Sequence, residues 1–180
     1  MGRRIFVGLP VRVEAAHELA AFARHRLGGL PVRAIEPAML HATLVFCGPT
    51  DEERIAEIVG IVEEETPFDL AWELAPNGLK QLGSAVAITY EAPPLLVAVQ
   101  RAVERRLTAE GLATDERRRW LPHVTVGRAR GPVDRVAPVP EPAPVAFRPR
   151  TVTLYESRLG RGAGGRSLYE VVHRWVLAAD

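Results

Sequence analysis

The chain has 180 residues and a formal net charge of +1, with 47% hydrophobic and 25% charged residues. This is the composition of an ordinary soluble globular protein of one domain or two small lobes, and it provides no overall field for holding long nucleic acids. A single cysteine excludes an intrachain disulfide and fits a reducing compartment. We expect a cytoplasmic protein without membrane association, because the sequence contains neither a signal-peptide h-region nor about 20 consecutive apolar residues.

The first half of the chain predicts strands and helices in alternation. Apolar residues recur at helical spacing over residues 12–27, and Gly28-Gly29 ends that helix. Phe68–Leu74 alternates apolar and polar residues, which is typical of a half-buried strand, and Asn77-Gly78 predicts a turn. The predicted elements are strands at 4–9, 39–47 and 68–74 and helices at 12–27 and 51–65.

The second half predicts a similar order of elements. A strand over 84–91 precedes a helix over 95–110 and a charged loop, in which Arg117 to Arg119 either contact ligand phosphates or are simply solvated. A strand begins near residue 123, a proline-rich connector covers 131–149, and strands at 151–159 and 167–177 flank a glycine-rich turn. The turn signals and alternating patterns favour antiparallel pairing, hence an α+β fold.

One pattern occurs twice, 82 positions apart, each time in a β-prone run. The first copy is His41-Ala-Thr-Leu and the second is His123-Val-Thr-Val. Residues i and i+2 of a strand share a face, so each copy presents an imidazole and a hydroxyl on one face and packs the other. One copy alone is weak evidence, but two copies with matching flanks predict a single site with two imidazoles and two hydroxyls.

These groups suit proton transfer at a phosphate. One imidazole can accept a proton from a nucleophile while the other donates one to a leaving group, and each transfer contributes about 10²–10⁴-fold. Threonine hydroxyls can donate hydrogen bonds to anionic oxygens during an in-line displacement. We expect neither a metal nor a cofactor, because two histidines without nearby cysteine or carboxylate partners fall short of a metal site.

The paired motifs resemble the two H-x-T-x signatures of the 2H phosphoesterase superfamily. More narrowly, Leu40–Gly48 and Pro122–Arg128 are similar to its RNA 2′,3′-cyclic phosphodiesterase branch, also called 2′-5′ RNA ligase, and the likeness covers nearly the whole chain. Cys47 stands where that branch commonly has leucine, and Val126-Gly127 where it commonly has Leu-Ala. Both departures leave the polar groups intact.

The resemblance implies a single domain over 1–180 with two pseudo-symmetric lobes, each an antiparallel sheet backed by helices, and an active cleft between them. It implies an enzyme that hydrolyses terminal 2′,3′-cyclic phosphates to 2′-phosphates without a metal, with weak reversible 2′-5′ ligation. RNA 3′ ends or nucleotide cyclic phosphates would be its partners, and we expect a monomer. Two alternatives use the same fold: a phosphodiesterase for a small cyclic phosphate such as ADP-ribose 1″,2″-cyclic phosphate, and a non-catalytic module that binds nucleotides or RNA ends.

The resemblance also implies roles for six residues. His41 would be the proton donor and His123 the proton acceptor, with Thr43 and Thr125 on the phosphate oxygens. Phe46 and Arg128 would hold the terminal base, unless they serve core packing and a surface ion pair. Each lies five positions after its histidine, which is the wrong parity for a flat strand, so a twist, a bulge or a strand end must bring it to the site.

Overall fold

The structure, a computed structural model, describes residues 2–114, 119–129, 145–162 and 166–178. Within these ranges it contains eight strands and three α-helices. The strands are β1 (Arg3–Pro10), β2 (Val32–Ala34), β3 (His41–Thr50), β4 (Ala75–Leu82), β5 (Ala85–Glu91), β6 (His123–Ala129), β7 (Thr151–Gly162) and β8 (Arg166–Val176). The helices are α1 (Val13–Leu27), α2 (Ile55–Glu65) and α3 (Pro94–Ala109).

The two strands that contain the repeated motif lie side by side in the middle of the sheet. The strand order is β4-β5-β6-β3-β1-β7-β8, with β2 added to β6, and all pairings are antiparallel. β3 and β6 pair only at Ala42 and Val124. The sheet therefore consists of two antiparallel halves that meet at one point between the motifs, and the predicted two-lobed α+β fold is confirmed.

The helices cover the core face of the sheet and connect its halves. α1 follows β1 in the chain but packs against β2 and β6, while α3 packs against β3 and against α2. The buried apolar residues of sheet and helices form one continuous cluster that includes Leu19, Ile58, Leu96 and Leu107. None of the helices described is long and apolar enough to cross a membrane.

The prediction of a strand over Phe68–Leu74 is wrong. Only Leu74 pairs, through two backbone hydrogen bonds with Phe147, and the preceding residues are irregular. The alternation in this segment arises because Trp72 and Leu74 insert into the core, at 1% and 0% exposure, without a neighbouring strand to continue the ladder.

The predicted turn at Asn77-Gly78 is also wrong, since both residues lie within β4. The register against β5 shifts between Pro76 and Gly78, and the Thr89 hydroxyl donates to the Gly78 carbonyl at 3.1 Å. The glycine thus serves a β-bulge rather than a hairpin.

Most of the predicted connector, most of the charged loop and the tip of the glycine-rich turn lie outside the described residues.

Candidate active site

The repeated motifs present their polar residues on one face of the sheet, as predicted. Ala42 and Leu44 are buried at 0% and 4% exposure, whereas His41 and Thr43 are only partly buried. β6 repeats this alternation with buried Val124 and Val126 and with partly buried His123 and Thr125. Since the two strands pair at Ala42 and Val124, both imidazole–hydroxyl pairs lie close to that position.

A cavity of about 590 Å³ opens on this face of the sheet. Its volume lies within the range of small-molecule sites, about 300–1,000 Å³. The six predicted residues all line it: His41, Thr43, Phe46, His123, Thr125 and Arg128. The structure therefore brings together residues from two distant segments of the chain, as the paired motifs predicted.

A β-bulge in each motif strand places Phe46 and Arg128 on the cavity side. Opposite β3, Gly8 pairs with Thr43 and Val7 with Val45, so Leu44 is an extra residue. Opposite β6, Ala87 pairs with Thr125 and Val86 with Gly127, so Val126 is extra. Each bulge reverses the side-chain alternation once, so that the residue five positions after the histidine points to the same face as the histidine.

The bulge in β3 is held by two side chains from outside the sheet. Gln100, buried on α3 at 1% exposure, donates from Nε2 to the Leu44 carbonyl at 3.2 Å. The indole nitrogen of Trp120 donates to the Thr43 carbonyl at 3.0 Å. Both carbonyls of the irregular backbone are thereby satisfied, which stabilises the bulge.

Side chains of β2 and α1 closely approach Gly127, which follows the bulge in β6. A methyl group on Gly127 would come within 2.6 Å of Val32 Cγ1 on β2 and 3.1 Å of Leu27 Cδ1 on α1. Val32 and Leu27 thus occupy the volume that an alanine side chain at this position would need. This explains why glycine precedes Arg128 in this chain.

Phe46 and Arg128 both have exposed side chains. Phe46 is 52% exposed, so it is not a core residue, although its ring lies 5.8 Å from that of Phe6. Arg128 is exposed and forms no ion pair with any other described residue. Both side chains are available to a ligand in the cavity.

The two imidazoles are held in the same way. Nδ1 of His41 lies 2.8 Å from the carbonyl oxygen of Met39, and Nδ1 of His123 lies 2.8 Å from that of Leu121. A carbonyl can only accept, so each Nδ1 carries the hydrogen and donates it. Nε2 of each ring is therefore the nitrogen that can exchange a proton with a ligand.

The surroundings of His41 are aromatic. Its ring centroid lies 4.9 Å from Phe6, 4.9 Å from Tyr169 in an edge-on arrangement, and 5.8 Å from Tyr155. The pKa of His41 is lowered to about 4, mainly because burial disfavours the charged ring. The hydrogen bond to Met39 opposes this shift, and the nearby charges of His123 and Arg128 add to it. Without a bound anion, His41 is consequently neutral at pH 7.

Sequence reasoning did not identify several residues that line the cavity. They come from β1, β7 and β8, outside the motifs: Arg4, Phe6, Ser157, Ser167 and Tyr169. Nothing in their local sequence marks them, because their position depends on the strand order. Only the pairing of β1 with both β3 and β7 brings them beside the first motif.

The described residues contain no cluster of three or more histidine, cysteine, aspartate or glutamate side chains that could hold a metal ion. The site instead offers two imidazoles, two threonine hydroxyls and the Arg128 guanidinium. This set can move two protons and bind a phosphate through neutral and cationic donors.

A family model described as the 2′-5′ RNA ligase superfamily matches residues 12–161. The chain belongs to this superfamily. Its membership of the 2H phosphoesterases, expected from the two motifs, is confirmed, as is the prediction that the chain is an enzyme of the hydrolase class.

Among curated relatives of this 2H phosphoesterase, the RNA 2′,3′-cyclic phosphodiesterase of Methanocaldococcus jannaschii is 24% identical over 96% of this chain and 99% of its own length. The enzyme of the same name from Archaeoglobus fulgidus is 29% identical over 76% of this chain and 78% of its own length. The crystal structure of Escherichia coli LigT complexed with 3′-AMP has a TM-score of 0.79 and 21% identity, covering 99% of this chain and 100% of LigT. At that identity the structural likeness establishes the shared fold.

Proposed function

We propose that this protein hydrolyses terminal 2′,3′-cyclic phosphates of RNA to 2′-phosphates. The observation that carries the proposal is the pair of imidazoles on one cavity, each with Nδ1 donating to a carbonyl and Nε2 left for a ligand. The curated relatives named above, called RNA 2′,3′-cyclic phosphodiesterases, support the substrate.

Each of the four motif residues has one role in the proposed reaction. A water molecule attacks phosphorus in line while His123 Nε2 accepts its proton. The bond from phosphorus to the 3′-oxygen breaks, and His41 Nε2 donates a proton to that oxygen, which leaves a 2′-phosphate. Thr43 and Thr125 donate to the non-bridging oxygens as their negative charge grows.

The donor role of His41 requires that substrate binding charges its ring. The free enzyme holds this imidazole neutral, with a pKa of about 4. A phosphate charge about 4 Å away contributes about 4 kcal/mol at an effective dielectric of 20, which corresponds to about three pKa units. We propose that the cyclic phosphate itself raises the pKa of His41 toward neutrality, so that the donor is protonated only in the complex.

Phe46 and Arg128 are proposed to bind the terminal base. An exposed phenyl ring and a guanidinium without an ion-pair partner among the described residues both offer flat faces for stacking. Such stacking is worth about 1–3 kcal/mol per base and tolerates any base. This supports a nucleotide substrate without selecting the base. ADP-ribose 1″,2″-cyclic phosphate remains the second candidate, because the same groups would act on it and the cavity can hold a nucleotide.

The proposal is tested with a short RNA that ends in a 2′,3′-cyclic phosphate, incubated with the purified protein in EDTA. Phosphorus NMR reads the position of the product phosphate. We expect a 2′-phosphate, formed at an undiminished rate in EDTA because no step needs a metal. A 3′-phosphate would reverse the assignment of the leaving oxygen.

The other outcomes separate the alternatives. Turnover of ADP-ribose 1″,2″-cyclic phosphate but not of the RNA would favour the small-molecule enzyme. Binding without turnover of either would favour the non-catalytic module. Loss of activity in EDTA that a divalent ion restores would contradict a metal-independent mechanism. Formation of a 2′-5′ linkage from a cyclic end and a 5′-hydroxyl would show the reverse reaction, which uses the same two histidines.

We further propose that the enzyme works as a cytoplasmic monomer on RNA ends. Its one cysteine, Cys47, is buried in β3, and burial raises the pKa of that thiol to about 12. Such a thiol is protonated and unreactive, which is compatible with a reducing compartment. Light scattering of the purified protein, expected to give the mass of one chain, checks the oligomeric state.

A further inference from the structure

A second cavity, of about 280 Å³, lies on the other side of His41 from β6. It shares Met39, His41 and Tyr169 with the active-site cavity, so these side chains form the wall between the two spaces. The remaining wall comes mainly from β7 and β8, including Thr151, Tyr155 and Arg174. We call this space the His41-side cavity.

The side chains that line the His41-side cavity suit the binding of an anion. Arg174 is exposed and forms no ion pair or hydrogen bond with any other described residue, and no carboxylate is found among the described residues of the lining. The hydroxyls of Thr151 and Thr153 lie 3.1 Å apart beside the Tyr155 phenol. Burial raises the pKa of Tyr155, so its hydroxyl stays protonated and can donate.

The cavity lies where the substrate chain must continue. In the proposed reaction the 3′-oxygen departs toward His41, which places the terminal ribose on the His41 side of phosphorus. The 5′-oxygen of that ribose links it to the preceding phosphodiester. An RNA chain, unlike a mononucleotide, therefore needs room for a second phosphate next to His41, and a guanidinium with hydroxyl donors suits that phosphate.

We propose that the His41-side cavity binds the phosphodiester 5′ of the terminal nucleotide, with Arg174 as its main electrostatic contact. The inference rests on the proposed function and extends it from a cyclic phosphate to an RNA chain. It makes Arg174 a residue that distinguishes an oligonucleotide end from a mononucleotide. Arg174 touches no reacting atom, so its effect is on substrate preference.

The test compares two substrates that differ only by the preceding nucleotide: adenosine 2′,3′-cyclic phosphate and the dinucleotide ApA ending in a 2′,3′-cyclic phosphate. The readout is the ratio of kcat/KM for the dinucleotide to kcat/KM for the mononucleotide. In R174Q we expect this ratio to fall about tenfold, because one charge-assisted contact is lost. R174E should lower it further, since a carboxylate then faces the phosphate.

Salt provides a second readout of the same contact. The logarithm of kcat/KM for the dinucleotide should fall with the logarithm of salt concentration, and the slope in R174Q should be shallower by about 0.7, the value for one phosphate contact on a single strand. The matched control is R101Q. Arg101 is an exposed arginine of α3 that lines neither cavity and has no ion-pair partner among the described residues.

Two results would overturn the inference. The first is an unchanged ratio in R174Q, whether both activities fall together or neither falls. The second is an equal change of the ratio in R101Q, which would indicate a general effect of surface charge. If the wild type turns over neither substrate, the proposed function fails. Titration of the protein with 3′-AMP and with ApA 3′-phosphate then tests the subsite independently of turnover. The subsite requires that the dinucleotide bind more tightly than 3′-AMP and that R174Q abolish this difference.

Discussion

The two motif strands carry the same imidazole and hydroxyl groups in different surroundings. In both, an imidazole donates from Nδ1 to the carbonyl two residues before it at 2.8 Å, a threonine follows two residues later, and a bulge comes next. His41, however, lies among Phe6, Tyr155 and Tyr169, whereas His123 has no ring neighbour in the described part of the chain. The motif supplies an imidazole and a hydroxyl, and the strands beside β3 surround the first imidazole with aromatic rings.

This difference follows from the sheet order. β3 is flanked by β1, which brings Phe6 beside it and pairs in turn with β7 at Tyr155. β6 is flanked by β5, which has an alanine, Ala85 opposite Arg128, at the position that Phe6 holds opposite Phe46. Two nearly identical sequences thus become a partly buried imidazole among aromatic rings, which is neutral in the free protein, and a more accessible one. The proposed donor role of the first therefore requires a bound phosphate to protonate it.

The largest effect should come from removing either imidazole. H41A and H123A should each lower kcat by about 10²–10⁴-fold, since each removes one proton transfer. Steady-state kinetics on the cyclic-phosphate RNA measures this, and circular dichroism should show an unchanged fold. H17A is the matched control, because His17 is exposed on α1. Near-normal turnover in either motif variant would contradict the two-histidine mechanism.

Removing a threonine hydroxyl should have the next largest effect. T43V and T125V should lower kcat by about 100-fold, the lower end for the loss of one transition-state donor. T43S and T125S keep the hydroxyl and should remain within a few-fold of the wild type. Equal kinetics for the valine and serine variants would show that the hydroxyls do not bind the phosphate.

The smallest effect concerns stability and comes from His41. Below about pH 6.5 an unfolded histidine binds a proton, whereas folded His41 does so only near pH 4. The unfolded state therefore binds more protons in this range, and the free energy of unfolding should decrease as pH falls from 6.5 to 4. The contribution is at most about 3 kcal/mol, and solvent screening of the partly exposed ring reduces it.

Urea unfolding at a series of pH values measures that contribution. The H41Q variant should lack this part of the decrease, while H17Q should keep it. An identical pH dependence in H41Q and the wild type would mean that the aromatic neighbours do not hold His41 neutral. The comparison of the two halves would then lose its physical basis.

Much of the site could be predicted from the sequence because it depends on local rules. The alternation of a strand places His41 with Thr43 and His123 with Thr125, and the duplicated pattern places the two strands together. The bulges could not be derived from the motifs, because a bulge is defined by the partner strand. Leu44 and Val126 are extra residues only relative to β1 and β5.

The rest could not be predicted because it depends on long-range pairing. Tyr169 contacts His41 from 128 positions away in the chain, through strands whose order has no local signal. Conversely, the alternation of Phe68–Leu74 has a strand's period without a partner strand, and the residues serve as core anchors instead. The period of the apolar residues indicates which side chains are buried. Whether the segment forms a strand depends on whether another strand lies beside it.

The most direct test of the account is a histidine NMR titration of the wild-type protein, with and without 3′-AMP, using H41Q to assign the resonance of His41. We expect His41 to titrate near pH 4 in the free protein, with Nδ1 protonated at neutral pH. With the ligand phosphate bound, its pKa should rise by about two to three units. A pKa of His41 that stays near 4 in the complex would contradict its role as the proton donor, and the roles of the two histidines would then be exchanged.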